Sequence, residues 1–408
     1  MRIKAGSFRA FYPLIIGFIF CSPFILESVL CRASSAQKVE MVDGVRIVHN
    51  KKGGEWGNNQ RISIELIRTI GDVNTADENL AFDSPLDMAV DDTGNIYILD
   101  SGNHRVQKFS PEGEYVAAFG RKGQGPGEFS RPISIDVDAK GFLYVLDRDL
   151  KKIQVLTPES EDHKVILTTK LNLDRFRLLA PGSWVARSYG SSGVPGAAEE
   201  KAKPKLIMLL DADLSVIKEF GEPFDFGNEM TTTFGNSVQF EVDNLDNIYL
   251  SFAFQNRVEK YTPEGRLLWR ADRKLNYSTK VIERGKQEIT KTRTRYTSPR
   301  MNRVSAGLAA DDKGRVWVVT YNRQFKKEEE VGRMVTGSGG VATTKILGNT
   351  DLQTTDMFKL EIYSPNGVLL GEIPLTQFVD MIHIWKDKLF LLDRDRGVKF
   401  YEYRITEK

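Results

Sequence analysis

Few side chains in this chain of 408 residues are of the kinds that do metal or covalent chemistry. There are four histidines, His49, His104, His163 and His383, and two cysteines, Cys21 and Cys31. Two cysteines exclude a disulfide scaffold and a thiolate-rich zinc site. A three-histidine metal site needs imidazoles that converge, and only His104 and His383 stand where the β patterning described below could bring them together. A carboxylate–amide site is the other route to a divalent ion such as calcium. Asp87, Gln239 and Asp380 each stand at or near the start of a short β-patterned run and could supply it. No Ser-His-Asp spacing is readable. A second set is polar and cationic: His104, Arg105, Arg131, Arg148, Gln255, Arg257, Asn322, Arg323 and Arg394, all in or beside the connections between β-patterned runs. Loops on a rigid frame carry most binding residues, and this mix suits an anionic ligand or an acidic protein surface.

Charge balance limits the partners. Lys and Arg number 57 against 55 Asp and Glu, a formal charge of +2. No global positive field exists to hold nucleic acid, so none is expected as a partner. A hydrophobic share of 41% and a charged share of 27% exclude wholesale disorder and a polytopic membrane protein.

Residues 1–36 read as an address. Arg2, Lys4 and Arg9 precede an apolar run from Phe11 to Leu26, followed by Ala33-Ser34-Ser35-Ala36. This is the order of a secretory signal peptide cut after Ala36. The run is shorter than the roughly 20 residues of a spanning helix. Lipidation would need a small residue before the cysteine, but Phe20 precedes Cys21 and Leu30 precedes Cys31. The expectation is export to the periplasm or beyond, with an uncleaved anchor as the alternative. Membrane contact is expected only through such an anchor.

The rest of the chain repeats. Ala89-Val90-Asp91-Asp92-Thr93-Gly94-Asn95-Ile96-Tyr97-Ile98-Leu99-Asp100 reads as strand, tight turn and strand. The same shape returns at Asp136–Asp147, Glu241–Leu250 and Ala309–Val319, and more weakly at Leu178–Val185 and Ile382–Asp393. Turn markers at 94, 141, 182, 246, 314 and 387 lie 47, 41, 64, 68 and 73 residues apart. The short gaps match a four-stranded propeller blade of roughly 40–50 residues, and the long ones match a blade with insertions. Further strand pairs follow around Ser110-Pro111-Glu112-Gly113, Thr262-Pro263-Glu264-Gly265 and Ser364-Pro365-Asn366-Gly367. The last unit stops after three strands, while Ile62 to Gly71 is a lone strand before the first unit. An all-β, six-bladed propeller of four-stranded antiparallel blades follows, closed by that N-terminal strand completing the last blade. Closure removes the edges an open solenoid would expose. The ring spans 61–406 after a lead-in at 37–60 and is expected to be monomeric.

The connection Gly120-Arg121-Lys122-Gly123-Gln124-Gly125-Pro126-Gly127-Glu128-Phe129-Ser130-Arg131-Pro132, with Ile96 to Phe109 before it, resembles the NHL-repeat family. The chain is also similar to exported bacterial six-bladed propellers, most without an assigned activity. The resemblance implies a propeller whose central ligand site lies on the loop face. Lyases on similar propellers use several histidines around a metal, and gluconolactonase-like ones use a carboxylate and amides. As a phosphate cradle the glycine-rich stretch is weak, since no Lys-Ser/Thr follows and no helix opens. Its glycines suit a sharp inter-blade turn, with Phe129 packing between blades and Asp100 pairing with Arg105.

Insertions are expected at 187–204, 273–303 and 324–356. The second carries ten basic residues against Glu283 and Glu288 and reads as a surface loop or short helix. The expected function is an exported, non-catalytic propeller that binds a ligand or protein partner through its loop face, without a cofactor. The alternative is a metal-dependent extracytoplasmic hydrolase or lyase, lactonase-like, with its site at the central channel.

Overall fold

The computed structural model describes residues 37–72, 75–158, 162–180, 182–188, 205–289, 294–338 and 341–408. The leader at 1–36 and most of the 187–204 insertion lie outside them. The chain divides between Ala36 and Gln37 into two units.

Residues 37–408 form the ring. Its blades begin with the inner strands Pro85–Val90, Leu173–Leu179, Val238–Val242 and Met381–Trp385 in blades one, three, four and six, and with Pro132–Val137 and Ser305–Ala310 in blades two and five. Each inner strand pairs outward and antiparallel with the next strand in sequence. Blade six takes its outermost strand from Ile62–Ile70, which runs antiparallel to Lys399–Glu407, from Ile62 opposite Glu407 to Ile70 opposite Phe400. The expected closure is therefore present.

The repeated aspartate explains the repeated turn. Asp91 accepts the N–H groups of Thr93 and Asn95 at 3.0 and 2.9 Å, and the Tyr97 hydroxyl at 3.0 Å. Asp138 does the same for Lys140, Phe142 and Tyr144. Asp243 does so for Leu245, Asn247 and Tyr249. Asp311 does so for Lys313, Arg315 and the Trp317 indole. One carboxylate thus satisfies the turn and anchors a large aromatic side chain. Gly94, Gly141 and Gly314 take positive φ in that turn, and in blade four Asp246 does so at +59°.

A second repeat sits at the centre of the third strand. Gln107, Gln154, Glu259, Glu361 and Glu402 occupy it in five blades and are fully or almost fully buried. Each carboxylate is met by two cations: Glu259 by Arg257 and Arg270, Glu361 by Arg273 and Lys359, Glu402 by Arg68 and Lys388. Gln154 instead holds the glycine-rich connection, accepting from Gly127 N–H at 3.0 Å and donating to the Glu128 carbonyl at 2.7 Å. Phe129 is buried between the apolar faces of blades one and two.

Two expectations are corrected. The segment 37–60 is no lead-in: Lys38–Val42 and Val45–Asn50 form a hairpin whose second strand pairs parallel with Leu267–Arg273, making blade four six-stranded. The 273–303 insertion is neither loop nor helix alone but carries a hairpin, Lys286–Ile289 with Thr294–Thr297. Residues 324–356 leave between the second and third strands of blade five as a 3-10 turn and a hairpin, Val331–Ser338 with Val341–Gly348.

Candidate functional site

The inner strands line the central channel, and charged groups from four of them meet there. Arg177 of blade three reaches both ways. Its Nη1 and Nη2 each lie 3.1 Å from an oxygen of Asp87 on blade one. Its Nε lies 2.9 Å from Glu241 Oε1 on blade four. Arg175 adds weaker pairs at 3.4 Å to Glu241 and 3.8 Å to Asp87. Asp87 also accepts the Ser134 hydroxyl and the Ile135 N–H from blade two. Burial would raise Asp87, but the charges of Arg177 and Arg175 outweigh it and hold its carboxyl well below the usual range. Glu241 is held low by the same balance.

Two further groups face this cluster. Burial pushes Asp136 of blade two up to about 6, against the pull of Arg177. Burial pushes His383 of blade six down to about 4, with the Glu241 charge acting against it. Desolvation in a crowded channel disfavours the charged form of each. The cluster braces inner strands with matched charges.

These residues do not fit a divalent cation. Both Asp87 oxygens face guanidinium donors. Gln239 stands in the blade-four inner strand, and Asp380, just before blade six, accepts the Arg394 N–H at 2.9 Å and lies 3.8 Å from its guanidinium. Among the described residues, no group of three His, Cys, Asp or Glu is placed to hold a metal.

The polar loop residues are spread around the ring, and several serve the frame. Arg105 pairs with Asp100 at 2.8 Å, as expected, and donates to the Glu78 and Ala81 carbonyls. Arg323 clamps the blade-five insertion through Glu329 and Asp356, and Asn322 reaches the Asp356 carbonyl at 3.4 Å. Arg131 lies 3.9 Å from Asp149 and accepts, through its carbonyl, the Arg148 N–H. His104 takes φ +55° and turns Nδ1 into the protein. Arg394 lies 3.5 Å from Asp395.

Gln255 and Arg257 of this set meet in a cavity. It measures about 670 Å³ and lies between the blade-three-to-four connection, the 252–258 loop of blade four and the start of the basic insertion. Phe224, Phe226 and Phe254 give it an apolar wall. Arg257 and Arg270 line it while bound to buried Glu259 at 2.9 and 2.6 Å. Lys280 and Arg284 line it too, and neither side chain has an ion pair among the described residues. Sequence reading missed Arg175, Arg177, Asp136 and Glu241. The signal was Arg175-Phe176-Arg177, two cations in an apolar strand that must find buried partners.

The fold has relatives among solved structures. A DUF4221-family protein from Bacteroides vulgatus superposes with a TM-score of 0.53 at 9% identity, covering 85% of this chain and 99% of its own. A candidate exported protein from Bacteroides fragilis gives 0.52 at 11%, covering 89% and 99%. These likenesses show the fold alone. No curated protein matches the sequence. The profile of the DUF5128 family, a 6-bladed beta-propeller, matches residues 38–304, from the N-terminal hairpin through blade four to the threshold of blade five, and the chain belongs to that family.

Proposed function

We propose that this chain is an exported, NHL-like propeller that binds rather than catalyses, taking an anion-bearing ligand on its loop face. The observation that carries the reading is the blade-four cavity. Its Lys280 and Arg284 side chains have no ion pair among the described residues, whereas the cations of the channel and of the third strands are matched. A recess of about 670 Å³ falls within the size range of small-molecule sites. Export is supported by the charged-then-apolar order of residues 1–36. The metal-dependent hydrolase or lyase reading lacks converging donors among the described residues.

The test is calorimetric titration of the purified chain with small carboxylates, phosphates and sulfates and with an acidic peptide. At least one anion is expected to bind, and K280A/R284A to weaken it tenfold or more with an unchanged melting temperature. If no anion binds, or binding is indifferent to those two cations, the reading falls.

A further inference from the structure

The polar groups of the blade-four cavity divide into two kinds. The Gln255 amide donates to the Gly235 carbonyl at 2.7 Å and to Asn236 Oδ1 at 2.9 Å. Asn256 both donates to the Arg273 carbonyl and accepts its N–H. Arg257 donates to the Glu222 carbonyl at 2.7 Å, and its guanidinium sits 4.0 Å from the Phe252 ring centroid. Asp225 accepts the Gly227 N–H at 2.8 Å. These groups are engaged by the frame and are poorly placed to read the hydroxyls of a sugar. Lys280 and Arg284 are the other kind, with no ion pair among the described residues.

The apolar side is equally specific. Phe224 and Phe226 pack edge to face at 4.8 Å between centroids, yet Phe224 remains 55% exposed. Exposed aromatic surface at the mouth of a recess is where an apolar body gains most from leaving water. Phenylalanine offers no hydroxyl or indole N–H, so this wall recognises hydrophobicity and shape. Four cations against Asp225 and Glu259 leave the cavity positive.

We infer that the cavity takes a single-headed amphiphilic anion: one carboxylate, sulfonate or sulfate ester on Lys280 and Arg284, with an aromatic or alkyl body against Phe224, Phe226 and Phe254. This rests on the anion-binding reading above and names the ligand class. An acidic protein surface is the competing occupant, but a recessed wall of three phenylalanines suits an inserted body better than a flat contact.

The experiment titrates the purified full chain with 1-anilinonaphthalene-8-sulfonate by fluorescence and with laurate by calorimetry. Dodecanol, sodium sulfate and a poly-glutamate peptide are the comparison probes. Both amphiphiles are expected to bind one site and to compete, while dodecanol and sulfate, each carrying half the chemistry, displace them at least tenfold less well. K280A/R284A and F224A are each expected to weaken binding tenfold or more without lowering the melting temperature. A pair of variants that leaves amphiphile binding unchanged overturns the inference, as does dodecanol matching laurate or sulfate matching the sulfonate. If poly-glutamate binds in a K280/R284-dependent way and the amphiphiles do not, the ligand class is wrong and the anion-binding reading stands. If no anion binds, both fall.

Discussion

Asp136 and His383 show at the residue scale what the channel does to a titrating group. Both are disfavoured as ions by burial, but ionisation changes their charge in opposite senses. The folded state keeps Asp136 protonated up to about pH 6, whereas an ordinary aspartate ionises near 3.8. It keeps His383 neutral down to about pH 4, whereas an ordinary histidine takes up its proton near 6.5. Between those limits the folded chain holds one extra proton on Asp136 and one fewer on His383. Stability changes with pH only where folded and unfolded states differ in bound protons, so the two contributions oppose each other. Asp136 alone costs stability as pH rises from 3.8 towards 6. His383 alone costs stability as pH falls from 6.5 towards 4. The expected outcome is that Asp136→Asn gains on the wild type as pH rises through that window, while His383→Gln gains as pH falls. Urea midpoints measured at half-unit steps check it, and parallel profiles for all three proteins would refute it. None of this was legible in sequence. The β patterning lets His383 approach the centre, but its neighbours come from strands more than a hundred residues away, and no local pattern encodes that distance.

Elements explain more of what could be read. The four strong turn blocks announced themselves because one aspartate does two local jobs, accepting turn N–H groups and fixing an aromatic six residues on. Signals of that kind lie within a dozen residues and survive in a linear reading. The buried third-strand glutamates were equally local, in Val258-Glu259-Lys260 and Leu360-Glu361-Ile362, but their meaning depends on cations from other strands. Glu361 is the sharpest case. It is completely buried, lies 2.7 Å from Arg273 Nε, and accepts the Thr320 hydroxyl at 2.8 Å. Arg273 belongs to blade four, so this ion pair ties neighbouring blades. Removing Glu361 strands the buried Arg273 charge, which costs about 3–5 kcal/mol, while replacing both with apolar residues of similar volume is often neutral or stabilising. Glu361→Leu is therefore expected to destabilise by that order, Arg273→Met by less because Lys359 still meets Glu361 at 3.0 Å, and the double variant to recover most of the larger loss. A chemical-denaturation cycle measures this, and additive losses would show that the pair does not act as a unit.

At the scale of the whole molecule two N-terminal segments do different work, and only one was foreseen. The strand Ile62–Ile70 was legible because the last unit lacked a strand and a spare one stood at the start. It closes the ring, with Ile62 and Ile70 buried in separate core clusters. The hairpin before it was not legible, because a parallel partner some 220 residues away leaves no mark on its own sequence. The hairpin straps blade four to blade five. Val48 is completely buried in the core they share, and Asn50 donates to the Gly367 carbonyl at 3.0 Å and accepts the Leu369 N–H at 2.8 Å. Trp56 lies over Gly371, where any side chain would collide with its ring, and Gly54 with φ +69° lets the chain press on the Leu370 backbone. His49 adds a clamp, 2.7 Å from Asp272 on the neighbouring strand and 3.4 Å from Glu40. Burying Val48 alone contributes about 1.5–3 kcal/mol, but none of these contacts completes a blade. Deleting residues 37–60 is therefore expected to leave a folded ring with β circular dichroism intact and a melting temperature lowered by several degrees. Extending the deletion through residue 71 removes the closure, exposes the edge of Lys399–Glu407 and uncovers both clusters, so a cooperative melt is expected to vanish. Equal losses from the two deletions would mean that the strap, and not only the closing strand, is required for the ring to form.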